Sequence, residues 1–495
     1  MAPATHEKRF AAAEPPMAPR FGTSGWRAVL GDEFTVANVR LVCRAIAEHV
    51  RETAAPASRG APEILVGYDT RFLSERFASV AAEALADGGL RPLLCEAATP
   101  TPAVAFHVIR RGLAGAVTIT ASHNPPEYNG VKFTPAWGGP ALPETTRAIE
   151  ARIDVLAGVR ATAGADRGTV DDATRAAPRP IDSRPDYLDG LARLVDLEAI
   201  RRRRPSIVVD PLYGAARGYL DHLLGRAGAR ITVLHDHRDP YFGGRRPDPD
   251  EMGLHELATA VSEGEAELGL ATDGDADRFG VVDEDGTFVA PNLVLGLLLD
   301  YLAVTRGWRG GAGVARSVAT THLVDAVAAT HGLTVHETPV GFKYIGARIA
   351  DGSAVFGGEE SAGLAITGHI PDKDGVLACL LIAEMVARTG RGIREQLAVL
   401  FRRVGAFHTG RVDVELTPDV RARVAAVLAD PPSALGGVAV REVNRIDGGK
   451  FLLADGAWFL LRPSGTEPLV RCYAEAESPE RLVAILAAGR QLLGA

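Results

Sequence analysis

The 495-residue chain is poor in cysteine, poor in lysine and free of long apolar runs. Its four cysteines, Cys43, Cys95, Cys379 and Cys472, lie far apart, so no CxxC zinc or redox pair exists. Scattered thiols of this kind fit a cytoplasmic compartment. No stretch of about 18 uncharged apolar residues occurs, because Asp300 stops Leu293–Leu299 and Glu384 stops Val376–Ala383. A membrane span is therefore not expected, and the N-terminus lacks a charged-then-apolar signal pattern. Basic residues fall short of acidic ones, 54 against 62, for a net charge of −8. That balance argues against a nucleic-acid partner, though it leaves room for a local basic pocket around an anion. No GxSxG elbow and no GxxxxGK[ST] loop occurs, which disfavours a hydrolase built on the elbow and a P-loop NTPase. No feature of the sequence specifies an oligomeric state.

The composition that remains, 46% hydrophobic and 23% charged, is that of an ordinary globular protein. The length suggests three to four domains. Only Lys8, Lys132, Lys343, Lys373 and Lys450 carry an ammonium among 54 basic residues. Arginine serves wherever a bare positive charge will do, so a lysine in a loop draws attention.

The apolar and turn patterns predict the same order of elements three times. Ile64–Tyr68, Arg91–Cys95 and Gly115–Thr120 read as strands separated by helices, and Ala121-Ser122-His123-Asn124-Pro125-Pro126 follows. Ser206–Asp210, Ile231–Leu234 and Leu268–Ala271 repeat the pattern, with helices over Ala215–Arg226 and Leu254–Gly264, and lead to Asp273-Gly274-Asp275-Ala276-Asp277-Arg278. Gly313–Ser317, Thr334–Glu337 and Ser353–Phe356 repeat it again, with a helix over Thr321–His331, and lead to Gly357-Gly358-Glu359-Glu360-Ser361. Each β-α-β-α-β pass ends in a polar loop at a strand's C-terminal end, where open α/β sheets bind ligands. From about Gly405 the pattern changes to antiparallel strands with flanking helices, an α+β arrangement that holds Arg462-Pro463-Ser464-Gly465-Thr466-Glu467-Pro468.

Each loop offers distinct chemistry. Asp273, Asp275 and Asp277 alternate, so an extended backbone would point all three carboxylates one way, and Gly274 and Ala276 leave room for the backbone to curl. Such a set repels itself unless a cation intervenes, and hard oxygen donors suit Mg²⁺. An EF-hand is the rival. Glu284 falls where that loop's last ligand would stand, but Arg278 occupies its required glycine and the flanks look like strands. Ser122 is a poor nucleophile unless a base or metal assists it, and a plain turn is the simpler reading of its loop taken alone. A phosphorylated Ser122 facing the acids would complete a Mg²⁺ site, with His123 on the phosphate and Lys132 as proton donor or acceptor. Glu359 and Ser361 suit sugar hydroxyls, or form a solvated acidic turn. Ser464, Gly465 and Thr466 offer hydroxyls and successive backbone N–H groups to an anion, with Arg462 and Arg471 adding charge. The run Arg201–Arg204 reads as a solvated face.

Together these stretches, with Phe21-Gly22-Thr23-Ser24-Gly25-Trp26-Arg27 at the start, resemble the α-D-phosphohexomutases, the phosphoglucomutase/phosphomannomutase family. The resemblance runs from about residue 20 to the end. It implies three similar α/β/α domains with mixed sheets plus a C-terminal α+β domain around a central cleft. The expected spans are a disordered lead-in (1–20), a phosphoserine domain (21–183), a metal domain (184–288), a sugar domain (289–404) and a phosphate domain (405–495). It implies that Ser122 carries the phosphoryl group and holds Mg²⁺ with Asp273, Asp275 and Asp277. Arg27 and Arg278 would lie near the transferring phosphate, Glu359 and Ser361 would read the sugar, and Gly341-Phe342-Lys343 would recognise one sugar orientation. Arg462, Ser464, Gly465, Thr466 and Arg471 would hold the other phosphate. Hexose phosphates are the implied ligands, with a hexose 1,6-bisphosphate as intermediate and activator and a hinged fourth domain.

The chain departs from one branch of the family. Ala362-Gly363 follows Ser361 where phosphomannomutase-like members often read Gly-His, so His369 and Lys373 become the candidate substitutes. The Gly-Glu-Glu-Ser-Ala-Gly form looks more like phosphoglucomutases and favours glucose, with a phosphomannomutase or dual-specificity enzyme as the alternative. Hydrolysis of the phosphoenzyme and a non-catalytic sensor are the rival classes. An enclosed cleft argues against the first, and the presence of Ser122, the acids and Arg278 against the second.

Overall fold

The computed structural model describes residues 18–22, 24–54, 60–163, 177–465 and 468–494. Most of the expected lead-in, 1–17, lies outside the described residues. Its last three residues are seated rather than loose: Ala18 packs on the first core and Pro19 is buried. Arg20 pairs with Asp154 at 2.7 Å.

The first unit comprises β1 (Trp26–Val29), α1 (Val36–Thr53), β2 (Glu63–Tyr68), α2 (Ser74–Asp87), β3 (Arg91–Cys95), α3 (Thr101–Arg111), β4 (Gly115–Ile119), β5 (Tyr128–Pro135), α4 (Pro143–Ala163) and β6 (Arg179–Ile181). Its sheet runs β1-β5-β4-β2-β3-β6. β2 lies between parallel partners β3 and β4. Ile64, Leu65 and Val66 are all buried, because helices cover both faces and leave no room for alternation. After β4 the chain reverses, and β5 returns antiparallel from Ile119↔Val131 to Gly115↔Pro135.

The second unit repeats this plan with α5 (Arg184–Ala192), α6 (Leu197–Arg203), β7 (Ser206–Asp210), α7 (Leu220–Arg226), β8 (Arg230–Val233), α8 (His255–Glu263), β9 (Leu268–Thr272) and β10 (Phe279–Asp283). The third adds α9 (Pro291–Thr305), β11 (Gly313–Ser317), α10 (Leu323–Thr330), β12 (Thr334–Thr338), α11 (Phe342–Ala350), β13 (Phe356–Glu359), β14 (Gly363–Ile366), α12 (Gly375–Thr389) and α13 (Ile393–Val404). Sheets β10-β9-β7-β8 and β12-β11-β13-β14 each end in the same antiparallel return. The polar loops are therefore hairpin turns, each followed by a return strand (β5, β10 and β14) that the sequence pattern does not mark.

Two expected elements move. The helix expected from Ala215 starts at Leu220, since Ala215 N instead donates to Gly274 O at 3.0 Å and the segment wraps the acidic turn. The strand expected over Ser353–Phe356 is β13, three residues later. Gly358 lies within it, paired with Arg316 of β11, and glycine fits there because a Cβ would meet Leu295 Cδ2 at 2.5 Å.

The second and third units share one apolar core. Helix α12 is buried along almost its whole length and packs on the second unit's sheet, with Leu380 and Leu381 inside the cluster that also holds Leu270 and Phe279. The tail holds β15 (His408–Glu415), α14 (Pro418–Ala429), β16 (Ala434–Leu435), β17 (Val438–Asn444), β18 (Gly449–Leu453), β19 (Trp458–Pro463), β20 (Leu469–Ala476) and α15 (Pro479–Leu493). Its antiparallel sheet runs β15-β20-β19-β18-β17-β16 over its own core of Phe451, Phe459 and Ile485.

Val318 and Ala319 of the third unit join the tail at Trp458, Leu460 and Tyr473. A buried polar cluster crosses the same face. Lys450 Nζ donates to Val318 O (2.9 Å), His322 Nε2 (2.8 Å) and Glu337 Oε1 (3.3 Å), and lies 4.2 Å from the Trp458 ring centre. Glu475 accepts from Trp458 Nε1 (2.7 Å), His322 N (3.1 Å) and the Thr321 hydroxyl.

Candidate active site

Ser122 occupies the turn between β4 and β5 and is 1% exposed. Its φ of +52° is a left-handed conformation that costs a serine roughly 1 kcal/mol, so surrounding contacts must hold it. Ser122 Oγ donates to Asp273 Oδ2 at 2.7 Å and stands 3.4 Å from His123 Nδ1. The two turns touch backbone to backbone: a Cβ on Gly274 would meet Ser122 O at 2.8 Å, so only glycine permits the approach.

The three aspartates do not share one face of an extended strand. Residues 273–278 form a tight turn between β9 and β10, with Ala276 at φ +62°. The curl gathers one oxygen from each of Asp273, Asp275 and Asp277 within 4.8 Å of one another, and all three residues are buried. Lys132 Nζ, on β5, donates to Asp275 Oδ2 (2.5 Å) and Asp277 Oδ2 (2.9 Å). Thr101 Oγ1 adds a bond to Asp275 Oδ2 at 2.6 Å, and Lys373 Nζ lies 3.3 Å from Asp277 Oδ2.

Burial and the neighbouring Asp275 and Asp277 push the Asp273 carboxyl well above the usual range. Burial would lift Asp277 too, but Lys132, Lys373 and Arg278 override it and hold that carboxyl far below normal. Asp275 Oδ1 and Asp277 Oδ1 are buried with no hydrogen-bond partner among the described residues. Unsatisfied buried carboxylate oxygens beside a hydroxyl are the donor set a divalent cation requires. The residues present fit Mg²⁺.

Cations surround the pair of turns. Arg27 Nη1 donates to Asn124 Oδ1 at 2.7 Å. Arg278 N donates to Asp273 Oδ1 at 3.0 Å, and its guanidinium pairs with Asp248 at 3.6 Å. Burial, then Arg278, Arg27, Arg246 and Lys132, hold His123 well below its ordinary pKa, so its ring is neutral at pH 7 in this structure.

On the third unit, Glu359 ends β13. Its Oε1 accepts the Gly341 N–H at 2.7 Å, and burial together with Glu360 lifts its carboxyl to about 7. Ser361 follows in the hairpin turn, half-buried, before Ala362 at φ +67°. Lys343 is half-buried, and Glu144 and Glu359 act on it against the effect of burial. Lys373 lies 5.2 Å from the Phe342 ring centre.

His369 is a correction to the sequence reading. Its side chain is 2% exposed and bonds Asp374 Oδ2 at 2.7 Å through Nε2, packed against Phe106 and Tyr187. Asp374 also accepts the Tyr187 hydroxyl and caps α12, so His369 belongs to a joint between units rather than to a sugar-facing surface.

In the tail, Arg462 and Arg471 are cross-strand neighbours on β19 and β20. Arg462 Nε donates to Asp447 Oδ2 at 2.8 Å, and the same oxygen takes the Val340 N–H at 3.1 Å, linking this loop to the Gly341 loop. The expected backbone cradle is altered: Ser464 N is spent on Leu469 O at 2.8 Å, Gly465 is exposed, and Thr466 lies outside the described residues.

The structure thus brings together Ser122, His123, Lys132, Arg27, Arg278, Asp273, Asp275, Asp277 and Lys373. Sequence reasoning missed Thr101, Arg246, Asp248 and Asp447, and also Asp69 and Arg71. Asp69-Thr70-Arg71 directly follows β2, and the strand-end rule applied to β4 would have found it.

Models of the phosphoglucomutase/phosphomannomutase α/β/α domains I, II and III match residues 18–157, 185–286 and 290–404, and that of the C-terminal domain matches 415–490. A phosphoglucomutase of Komagataeibacter xylinus is 31% identical over 92% of this chain and 87% of its own. A phosphoglucosamine mutase of Frankia alni is 34% identical over 92% of this chain and 94% of its own. A crystal structure from Thermus thermophilus, carrying a provisional phosphomannomutase name, aligns with a TM-score of 0.82 at 33% identity, covering 97% of this chain and all of that one.

Proposed function

Because the chain belongs to the phosphoglucomutase/phosphomannomutase family, the α-D-phosphohexomutases, and is a phosphotransferase of the mutase type, we propose that it interconverts glucose 1-phosphate and glucose 6-phosphate through a phosphorylated Ser122. The observation that carries this reading is the 2.7 Å contact between Ser122 Oγ and one of three converging carboxylates, two of which keep an unpartnered buried oxygen among the described residues.

The cycle follows from that contact. The bond from phosphorus to Ser122 Oγ breaks as a bond to a sugar hydroxyl oxygen forms, giving a hexose 1,6-bisphosphate. The hydroxyl proton passes to the protein. Against the effect of burial, Asp275 and Asp277 keep the Lys132 ammonium protonated, so Lys132 is our choice to donate a proton to the departing Ser122 Oγ and to be recharged by the proton that the sugar hydroxyl releases. The intermediate turns end for end, and Ser122 recovers the phosphoryl group from the opposite oxygen. Transfer of this kind depends on positioning and charge neutralisation. Arg27, Arg278 and His123 surround the transferring group, while Arg462 and Arg471 hold the distal phosphate. Asp273, Asp275 and Asp277 would hold Mg²⁺ with the phosphoserine, and the ion supplies Lewis-acid polarisation of the phosphoryl oxygens when bound.

Two considerations favour glucose. The Glu359-Glu360-Ser361-Ala362-Gly363 form resembles phosphoglucomutases, and one relative bears that name. The Frankia relative's name makes glucosamine 1-phosphate the competitor to include, beside mannose 1-phosphate.

The test compares kcat/KM for the three 1-phosphates with Mg²⁺ and catalytic glucose 1,6-bisphosphate. Glucose 1-phosphate is expected to lead, and a lead by either competitor refutes the glucose assignment. Ser122→Ala is expected to lower turnover by at least about 1000-fold, since it removes the covalent carrier. Release of inorganic phosphate at the rate of sugar turnover would instead indicate hydrolysis.

A further inference from the structure

Arg71 stands on the turn between β2 and α2, and its side chain is fully buried. All five guanidinium hydrogens are spent. Nε donates to Asp69 Oδ2 at 3.2 Å. Nη1 donates to the carbonyls of Pro125 (2.7 Å) and Tyr128 (2.9 Å), and Nη2 to those of Ser122 (2.5 Å) and Asn124 (2.6 Å). Four of the five acceptors are thus backbone oxygens of one turn, the turn that carries Ser122.

A second arm reaches the same residue. Asp69 Oδ1 accepts Arg71 N (3.0 Å) and Ser74 Oγ (2.8 Å), while Oδ2 also accepts Thr120 Oγ1 at 2.6 Å. Thr120 Oγ1 in turn accepts the Ser122 N–H at 2.9 Å. Arg71 therefore holds the carbonyl of Ser122, and Thr120 holds its amide.

We propose that Arg71, Asp69 and Thr120 form a clamp that fixes the conformation of the Ser122 turn, which makes Arg71 a positioning residue for phosphoryl transfer. Ser122 sits at φ +52°, which a serine leaves unless its surroundings over-determine it. Anchoring both the amide and the carbonyl of one residue fixes its two backbone angles, and with them the direction of the Cα–Cβ bond, from which Oγ reaches Asp273. The planar fork is essential, because a lysine ammonium has three hydrogens on one point and cannot reach carbonyls spread over residues 122 to 128. The clamp meets the protein's backbone and Asp69, not a ligand. Its loss therefore slows the chemical step and leaves sugar binding and the carboxylate set of Asp273, Asp275 and Asp277 in place.

This inference rests on the reading of Ser122 as phosphoryl carrier, so the test separates the two. Full-length Arg71→Lys is expected to lower kcat about 100-fold, with KM for glucose 1-phosphate within about threefold. Mn²⁺ affinity of the unphosphorylated protein, read by calorimetry, is expected to stay within about threefold as well. Thr120→Val keeps the shape and removes the hydroxyl, and is expected to lower kcat about tenfold. Thr120→Ser is expected to restore it to within about threefold of wild type. This pair carries the test should Arg71→Lys not fold. Wild-type kcat in Thr120→Val, equal loss in the Val and Ser variants, or a change in KM in place of kcat overturns the clamp. Full turnover in Ser122→Ala would sink the nucleophile assignment. Clamp variants at full speed beside an inactive Ser122→Ala would sink the clamp alone.

Discussion

Two buried polar clusters hold three of this molecule's five lysines, Lys132 and Lys373 in one and Lys450 in the other, and they differ in what they leave undone. At the joint between the third unit and the tail, Lys450 has three acceptors for three hydrogens and Glu475 has donors on both oxygens. Burial, Lys450 and Arg316 push His322 down to about 2, so the imidazole is neutral and free to accept the lysine's hydrogen. At the cleft, Lys132 meets two carboxylates that still present bare oxygens, and the buried Arg278 Nε has no acceptor among the described residues. A satisfied cluster rigidifies a joint, whereas an unsatisfied one stores free energy for whatever completes it. Burial and charge alone do not distinguish them.

If the contrast is right, the largest effect comes from the unfinished cluster. Asp273→Asn is expected to lower turnover about 1000-fold, through loss of a donor on the reacting centre. The same change should raise the melting temperature without divalent cation. Burial lifts the folded pKa of Asp273 above its unfolded value, so its charge opposes folding above the unfolded pKa. Adding Mg²⁺ at 100 times its dissociation constant should stabilise the wild type by about 2.7 kcal/mol and the variant far less. Equal responses in a thermal melt would remove the metal site.

The finished cluster should behave in the opposite way. Lys450→Met is expected to cost about 3 kcal/mol in a denaturant titration, by leaving Glu475 and Glu337 without a buried cation's field. Its stabilisation by Mg²⁺ should match the wild type's, and a lost response would show that the clusters are coupled.

The smallest effect is in pH. Burial, then Arg316, push Lys450 down to about 8 from an ordinary 10.5. Between those values the unfolded chain holds a proton that the folded chain has released, so stability rises with pH. The gap between wild type and Lys450→Met should therefore widen from pH 8 to pH 10. A constant gap would falsify the assignment of a depressed lysine there.

Much of this arrangement was legible in the sequence. Three apolar strand patterns ending in Ser122, Asp273 and Glu359 located the cleft, because strand ends and polar turns are local signals. What escaped depends on distant neighbours. Gly357-Gly358 read as loop, yet they lie within β13 because they pair with Ala315 and Arg316 of β11 on one side and with Ala365 and Leu364 of β14 on the other. Gly274 and Ala276 leave room for the acids' loop to curl, but the left-handed backbone at Ala276 that gathers their oxygens is set by the fold. His369 is held by Asp374, which an isolated sequence position cannot reveal. Arg71 carries no local signal, because its four carbonyl partners lie 51 to 57 positions further along the chain. The scarcity of lysine was informative but only in part: Lys132 and Lys373 line the acids, whereas Lys450 fastens a joint.

The bond between Ser122 and Asp273 joins residues 151 positions apart. A ribosome adding about 5–20 residues per second makes the first roughly ten to thirty seconds before the second. Throughout that interval the nascent first unit displays its serine with no acid opposite. The contact that carries the proposed chemistry is therefore out of reach until the second unit has been made.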